Sequence, residues 1–219
     1  MIYQNRIKIL SIESSSSVCS VCLSVDDLII SEYNIYEKNV HDRLLAKEIK
    51  SLLDDMETNI NEISAIAVSS GPGSFTGLRI GFAIAKGICY DGEIKFLAIP
   101  TLKAIANEQL EIAKFSSKDF ILTVIYSNEN LFYTQIFDLR LKELSEVKIL
   151  TKEEIVNTFG NNYYITGPEA KIIKPETIEF STKLTASTIA RLAIKYYKDS
   201  NFVDPSEVTP DYYQKFKIK

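Results

Sequence analysis

The sequence predicts an α/β fold built as two tandem lobes, each with a mixed β-sheet flanked by helices. Three observations support this prediction. In the first half, strand and helix periods follow the order βββαβαβα, with hairpins first and crossovers afterwards, which is typical of a mixed sheet. From residue 119 the strand pattern starts again. The chain has 219 residues, about 1.5 times a typical domain, which suits two small lobes.

The elements of the first lobe follow from hydrophobic period and turn signals. Apolar runs and alternation predict strands at residues 7–13, 18–25, 28–36, 63–69 and 95–99. The serine run 14–17 ends the first strand, and Asp26-Asp27 forms a turn between the next two. Helical spacing predicts helices over 41–56 and 77–90 and a third that opens after Pro100-Thr101.

The second lobe is predicted from the same signals. Strand-like segments occur at residues 120–126, 131–137, 147–150 and 163–166. Thr151 and Glu154 have the spacing of a capping box and predict a short helix. A final amphipathic helix covers 186–197 and is expected to pack back toward the first lobe. The division is predicted as residues 1–115 and 116–219.

Composition excludes several classes of function. The chain carries 25 basic and 29 acidic side chains, a net charge of −4, so autonomous nucleic-acid binding is not expected. One histidine and three cysteines do not provide a multi-ligand zinc site or a disulfide framework. We find neither a long apolar run nor a signal-peptide pattern, so a cytoplasmic protein without membrane contact is expected.

The most informative segment lies between a predicted strand and a predicted helix. We call residues 70–76 (Ser70, Gly71, Pro72, Gly73, Ser74, Phe75 and Thr76) the signature loop. Its position suits anion binding by backbone N–H groups. However, Leu78-Arg79 follows Gly77, where a P-loop needs Lys and then Ser or Thr, and Thr76 breaks a dinucleotide fingerprint. Ser74 or Thr76 can cap the helix that follows.

Small residues recur along this helix at Gly77, Gly81 and Ala85, which lie on one helical face. Glycine inside a helix costs roughly 1 kcal/mol relative to alanine, so a packing reason is indicated. Two interpretations stay open. The helix approaches another element of the same lobe closely, or it contacts a helix of another protein chain.

A resemblance to the bacterial TsaB (YeaZ) family rests on five segments. They are Gly71 to Gly81, Ile9 to Ser15, His41 to Leu45, Ala98 to Leu102 and, more weakly, Pro210 to Tyr213. Members of this family are partners in the synthesis of threonylcarbamoyladenosine on tRNA. The resemblance covers the first 110 or so residues well and the remainder by length and element order.

The resemblance implies lobes of the actin/Hsp70-like (ASKHA, RNase H-like) superfamily and a non-catalytic subunit. Such a subunit binds and activates a TsaD-type threonylcarbamoyltransferase and recruits a TsaE-type ATPase. It implies a homodimer when the chain is alone, only indirect contact with tRNA, and no cofactor of its own, with ATP or ADP at the partner interface. The implied partner-binding residues are His41, Leu45, Ile49, Leu52, Gly77, Arg79, Gly81 and Ala85.

No catalytic or metal-binding residue is predicted. TsaD-type relatives bind metal through paired histidines, whereas His41 is alone here and is expected to be a surface or interface residue. Cys19 and Cys22 lie an odd number of residues apart in a strand, so their side chains point to opposite faces. Ser74 is not the central residue of a Gly-x-Ser-x-Gly elbow.

Two alternatives stay open. The first is a small ATP-dependent kinase on the same two-lobe fold, with an acidic base near Glu13. The second is a peptidase of the type with which this superfamily was long associated. The sequence also departs from the family at two places: Glu13 stands where relatives usually have Asp, and residues 122–127 lack an Asp-Ala-Arg.

Overall fold

Two mixed β-sheets organise the computed structural model, which describes residues 6–37, 39–175 and 183–213. The first sheet has the strand order β3-β2-β1-β4-β5. Strands β1 to β3 form an antiparallel meander, while β4 and β5 run parallel to β1. The strands are β1 (Lys8–Glu13), β2 (Cys19–Val25), β3 (Leu28–Ile35), β4 (Ala65–Gly71) and β5 (Lys95–Pro100).

The second sheet repeats the first in shortened form. Its order is β8-β7-β6-β9, with an antiparallel meander and one parallel strand, β9, beside β6. The strands are β6 (Phe120–Asn128), β7 (Leu131–Asp138), β8 (Lys148–Thr151) and β9 (Tyr163–Thr166). The predicted fold class, an α/β fold with two mixed sheets, is confirmed.

The helices lie in three layers around and between the sheets. They are α1 (His41–Asp55), α2 (Phe75–Ile88), α3 (Thr101–Phe115), α4 (Lys152–Thr158), α5 (Ala170–Ile173) and α6 (Ala186–Lys198). Helices α1 and α2 cover one face of the first sheet. Helices α3 and α6 fill the space between the two sheets, and α4 and α5 cover the outer face of the second.

The core follows from strand alternation. On β1, Leu10 and Ile12 pack under α1 and α2, whereas Ile9 faces the α3–α6 layer. Because successive side chains of a strand point to opposite faces, both faces of this central strand are apolar and both are covered. Helix α6 therefore packs on β1 and β2 of the first sheet, although it follows the second sheet in sequence.

Local signals place the helix starts. Thr151 and Glu154 form the predicted capping box of α4. Helix α2 begins at Phe75, two residues earlier than predicted, because the Ser74 hydroxyl accepts the Gly77 N–H. A 3-10 turn at Ile60–Glu62 and the one-turn helix α5 were not predicted, since neither is long enough to show a period. In the described part of the chain, every helix is too short or too polar to cross a bilayer.

Candidate functional site at the signature loop

The signature loop lies at the mouth of a cleft of about 870 Å³. It connects β4 to α2 and faces residues 14–18, the connection between β1 and β2. The opposite wall comes from the ends of β6 and β7 and from residues 211–213. The cleft is rich in aromatic and hydroxyl side chains, including Ser15, Ser16, Ser17, Tyr36, Phe75, Thr76, Tyr126, Tyr133, Tyr212 and Tyr213.

Glycines let the signature loop and α2 approach the β1–β2 connection closely. A Cβ added at Gly77 would lie 1.9 Å from the Ser14 carbonyl oxygen, and one at Gly81 would lie 2.3 Å from Ser14 Oγ. Such distances exclude a side chain unless the backbone moves. The small-residue face of α2 therefore meets its own lobe, and the interpretation as close approach within that lobe is confirmed.

The backbone donors of the loop bind protein acceptors. The Ser74 N–H donates to the Ser15 carbonyl at 2.7 Å, and the Gly71 N–H donates to Thr101 Oγ1 at 3.2 Å. The Gly77 N–H donates to Ser74 Oγ at 3.2 Å. A phosphate-binding loop keeps its N–H groups free for the ligand. The Ser74 and Gly71 N–H groups instead join the loop to the β1–β2 connection and to the start of α3, and the Gly77 N–H is used in capping α2.

Most residues of the predicted partner-binding set are buried within the chain. Seven of its eight residues are buried within the chain: His41, Leu45, Ile49, Leu52, Gly77, Gly81 and Ala85. An apolar helical stripe must be covered, and here the first sheet covers it. In the isolated chain these side chains form no exposed patch, and of the eight only Arg79 is exposed; their contact with a partner stays a prediction.

His41 is likewise not a surface residue. It is 8% exposed, and its Nε2 lies 3.2 Å from the carbonyl oxygen of Val18, which accepts the hydrogen bond. This contact joins the first residue of α1 to the start of β2. His41 also lines the cleft. His41 therefore joins α1 to β2 at the wall of the cleft.

The outward side of α2 carries a second apolar stripe that the sequence prediction missed. Ile80, Ile84 and Ile88 are half-buried and pack in part against the core cluster beneath α1 and α2, and Ala83 and Gly87 are exposed. Their spacing follows one helical face. We call these five residues the outer face of α2. The spacing of these residues is visible in the sequence. Because α2 is apolar on both sides, the sequence pattern does not show whether this stripe or that of Gly77, Gly81 and Ala85 faces the sheet.

Glu13, at the end of β1, is fully buried. Its Oε1 accepts hydrogen bonds from the N–H and hydroxyl of Ser15, both at 2.7 Å, and from the Ser16 N–H at 3.0 Å. Oε2 has no hydrogen-bond partner among the residues that the structure describes. Burial raises the pKa of this carboxyl to about 7, although the Ser15 hydroxyl lowers it. Ser69 also lowers this pKa, but its contact falls short of hydrogen-bond geometry.

The C-terminal segment reaches the signature loop. The Asp211 N–H donates to the Ser70 carbonyl at 2.7 Å, and Ser70 Oγ donates to Asp211 Oδ2 at 3.0 Å. The Tyr212 ring lies 4.8 Å from the Phe75 ring, centroid to centroid. Partial burial raises the pKa of the Asp211 carboxyl, and the Ser70 hydrogen bond lowers it. The weak family similarity at residues 210–213 thus falls on a segment in direct contact with the loop.

The cysteines do not form a site. Cys19 packs in the cluster beneath α1, whereas Cys22 faces α6 beside Ala186 and Ala190. The predicted placement on opposite faces of β2 is confirmed. Within residues 6–37, 39–175 and 183–213, no three His, Cys, Asp or Glu side chains come together as a metal site.

Two mixed sheets of related strand order, flanked by helices and with a glycine-rich loop beside the cleft between them, define the class of this protein as α/β with a repeated sheet. A family model described as TsaD, tRNA N6-adenosine threonylcarbamoyltransferase, matches residues 34–190, more than half of the chain. The chain belongs to this family, and within it to the TsaB (YeaZ) group.

Individual relatives agree with this assignment. The chain is 35% identical over 98 residues to a protein of Bacillus subtilis named tRNA threonylcarbamoyladenosine biosynthesis protein TsaB. It is 32% identical over 100 residues to the Escherichia coli protein of the same name. These matches cover 45% and 46% of this chain and 43% of each relative, so they span less than half of the relatives' length. The structure of YeaZ from Pseudomonas aeruginosa superposes with a TM-score of 0.79 at 19% identity, covering 94% of this chain and 99% of that one.

Proposed function

We propose that this chain is a non-catalytic subunit of a complex that synthesises threonylcarbamoyladenosine on tRNA. Its role is to bind a TsaD-type threonylcarbamoyltransferase and hold it in a competent state. The supported reaction transfers a threonylcarbamoyl group to N6 of adenosine 37. The observation that carries the proposal is the outer face of α2, a half-exposed apolar stripe that begins directly after the family's signature loop.

The outer face of α2 suits a helix of another chain. Ala83 and Gly87 are small, and a Cβ added at Gly87 meets nothing within 4 Å. The side chains of Ile80, Ile84 and Ile88 provide apolar area beside them. Small residues next to larger apolar ones allow two helices to approach closely. The adjacent α1 presents the half-buried Leu44.

The same surface accounts for the other assemblies we propose. A half-exposed apolar stripe on an isolated chain favours pairing with a second copy through the same patch. A homodimer would therefore compete with the TsaD-type partner. We further propose that a TsaE-type ATPase joins the heterodimer, that ATP or ADP binds at the partner interface, and that tRNA is contacted through the catalytic partner.

Several observations support a non-catalytic role. Ser74, the nucleophile a peptidase would need, accepts the Gly77 N–H and caps α2. His41, the base a peptidase would need, donates its ring N–H to the Val18 carbonyl. Glu13, the base a kinase would need, binds its own loop through Oε1 and is fully buried.

Co-purification with a TsaD-type partner tests the proposed interface. Ala83→Arg places a charge on the outer face of α2 and should abolish the complex. Val156→Arg is the matched control, because Val156 is 53% exposed on α4, on the far side of the second sheet. Gly81→Leu and Ile49→Asp are unsuitable, since both positions are buried and unfolding would mimic lost binding. Equal complex formation by Ala83→Arg and wild type would rule out this face.

A subunit-omission assay of tRNA modification tests the non-catalytic role. Product should require both the TsaD-type partner and this chain, and product formed by this chain alone would overturn the proposal. The small-kinase alternative retains one supporting observation, the cleft between the two sheets. Calorimetry with ATP and magnesium, without partners, separates the two: micromolar binding favours the kinase.

A further inference from the structure

The last described residues form a strap that returns to the mouth of the cleft. We define the strap as residues 202–213. Near its start, the Val203 N–H donates to the Phe96 carbonyl of the edge strand β5 at 3.1 Å. Val208 then packs against the apolar cluster beneath α1 and α2. The strap therefore crosses from the edge of the first sheet to the signature loop.

The end of the strap is fixed to the signature loop by two hydrogen bonds between Ser70 and Asp211. The approach is close enough to require glycine beside them. Gly71 has φ of +119°, and a Cβ there would lie 2.7 Å from the Asp211 carbonyl oxygen. The signature loop is thus shaped to receive this segment, in addition to its contacts with the β1–β2 connection.

Neighbouring residues of the strap contact opposite sides of the cleft. Tyr212 packs on Phe75, at the start of α2. The Tyr213 ring lies 6.3 Å, centroid to centroid, from that of Tyr133 on β7 of the second sheet. The docked strap therefore contacts both the start of α2 and the second sheet.

The aromatic contact continues onto α2. The Arg79 guanidinium lies 5.1 Å from the centroid of the Phe75 ring, so Phe75 contacts both Arg79 and Tyr212. Arg79 is exposed and directly precedes Ile80 of the outer face. A partner that orders Arg79 or Phe75 therefore also favours the docked position of Tyr212.

We propose that the strap is a latch whose docking is coupled to the binding of a TsaD-type partner on the outer face of α2. This inference rests on the proposed function. The Tyr212 and Tyr213 rings are 44% and 40% exposed, so the docked strap is held by a few half-exposed contacts. Such segments open more readily than the core. A partner that binds the docked form more tightly shifts the equilibrium toward it, and a docked strap raises partner affinity by the same factor.

Amide hydrogen exchange on the full-length chain tests the coupling. Saturating TsaD-type partner should slow exchange at the Asp211 amide about fivefold or more, a typical size for coupling between sites. Tyr212→Ala and Ser70→Ala should each reduce this protection and, where they undock the strap, weaken partner affinity by up to the factor by which the partner slows exchange in wild type. Phe115→Ala is the matched control, because Phe115 is 87% exposed at the end of α3. It should change neither measurement.

The outcomes separate this inference from the proposed function. If wild type binds the partner and Ala83→Arg does not, yet exchange at Asp211 is unchanged, the latch is overturned and the proposed function stands. The exchange measurement on wild type needs no variant, so an unfolded variant cannot obscure it. If wild type does not bind the partner, the proposed function fails and the latch fails with it.

Discussion

Ser70 and Asp211 are joined by two hydrogen bonds although 141 residues separate them in sequence. Ser70 is the penultimate residue of β4 and is 3% exposed, while Asp211 belongs to the strap. The backbone bond at 2.7 Å and the side-chain bond at 3.0 Å use the same two residues. The position of the signature loop therefore depends on the C-terminal segment as well as on the strand that precedes it.

Removing the Ser70 hydroxyl should lower the free energy of unfolding. Ser70→Ala deletes the donor to Asp211 and keeps the backbone bond, so the expected loss is about 1 kcal/mol. Urea unfolding followed by circular dichroism measures it. Ser206→Ala is the control, because its hydroxyl donates only to Asp204 in an exposed turn. An equal loss in both variants would contradict a special role for the Ser70 bond.

Glycine at position 77 should be essential for stability, whereas glycine at position 87 should not. Gly77→Ala drives a Cβ to 1.9 Å from the Ser14 carbonyl oxygen, so either α2 or the β1–β2 connection must move. We expect a loss of about 3 kcal/mol or more in the free energy of unfolding. Gly87→Ala, in the same helix with open space around it, should gain about 0.5–1 kcal/mol. Similar unfolding midpoints for the two variants would show that the close approach is absent in solution.

The buried carboxyl of Glu13 should make stability depend on pH. Its pKa is about 7 in the folded chain, against an ordinary value of 4.5, because burial disfavours the charge. The folded chain thus retains a proton that the unfolded chain releases, and the free energy of unfolding falls as pH rises from 4.5 to 7. Glu13→Gln keeps an acceptor for Ser15 and Ser16 and removes this fall. At pH 8 the variant should be more stable than wild type by about 2–3 kcal/mol.

Unfolding curves at pH 5 and pH 8 measure the effect of Glu13→Gln. The two proteins should differ little at pH 5, where Glu13 is protonated when folded. Glu57→Gln, at an exposed position, is the control for loss of one carboxylate. If wild type and Glu13→Gln differ in stability by the same amount at pH 5 and at pH 8, the raised pKa of Glu13 is disproved.

The three thiols should be unreactive in the folded chain. Burial raises the pKa of Cys19 to about 11 and those of Cys22 and Cys89 to about 12. Because the thiolate is the reactive form, iodoacetamide at pH 8 should modify none of them until denaturant is added. Mass spectrometry of the labelled chain checks this. Rapid labelling of Cys19 and Cys22 in the native chain would contradict the raised pKa values of these thiols.

Most elements of the fold were predictable because their signals are local. Alternation gave β1 to β3, a capping box gave α4, and helical spacing gave α1 and α6 to within a residue or two. The short helix α5 could not be predicted, since four residues do not establish a period. The start of α2 was predicted too late because its first turn consists of Phe75 and Thr76, which belong to the signature loop.

The candidate site was only partly predictable. The signature loop was recognised from its glycines and from its position between a strand and a helix. The direction in which α2 faces was not, because both of its sides are small or apolar and periodicity cannot tell which one the sheet covers. The strap was visible only as a weak similarity at residues 210–213, and nothing local indicated that Asp211 would bind Ser70.

The sequence by itself determined the α/β class, the repeated strand pattern, the signature loop and the family. Each of these depends on residue types at fixed spacings along the chain. Only the tertiary structure decided that His41, Leu45 and Gly81 are buried, that the outer face of α2 is available, and that the strap closes on the loop. The reason is that burial and contact between distant segments depend on which helix face the sheet covers, and hydrophobic period alone does not specify that choice.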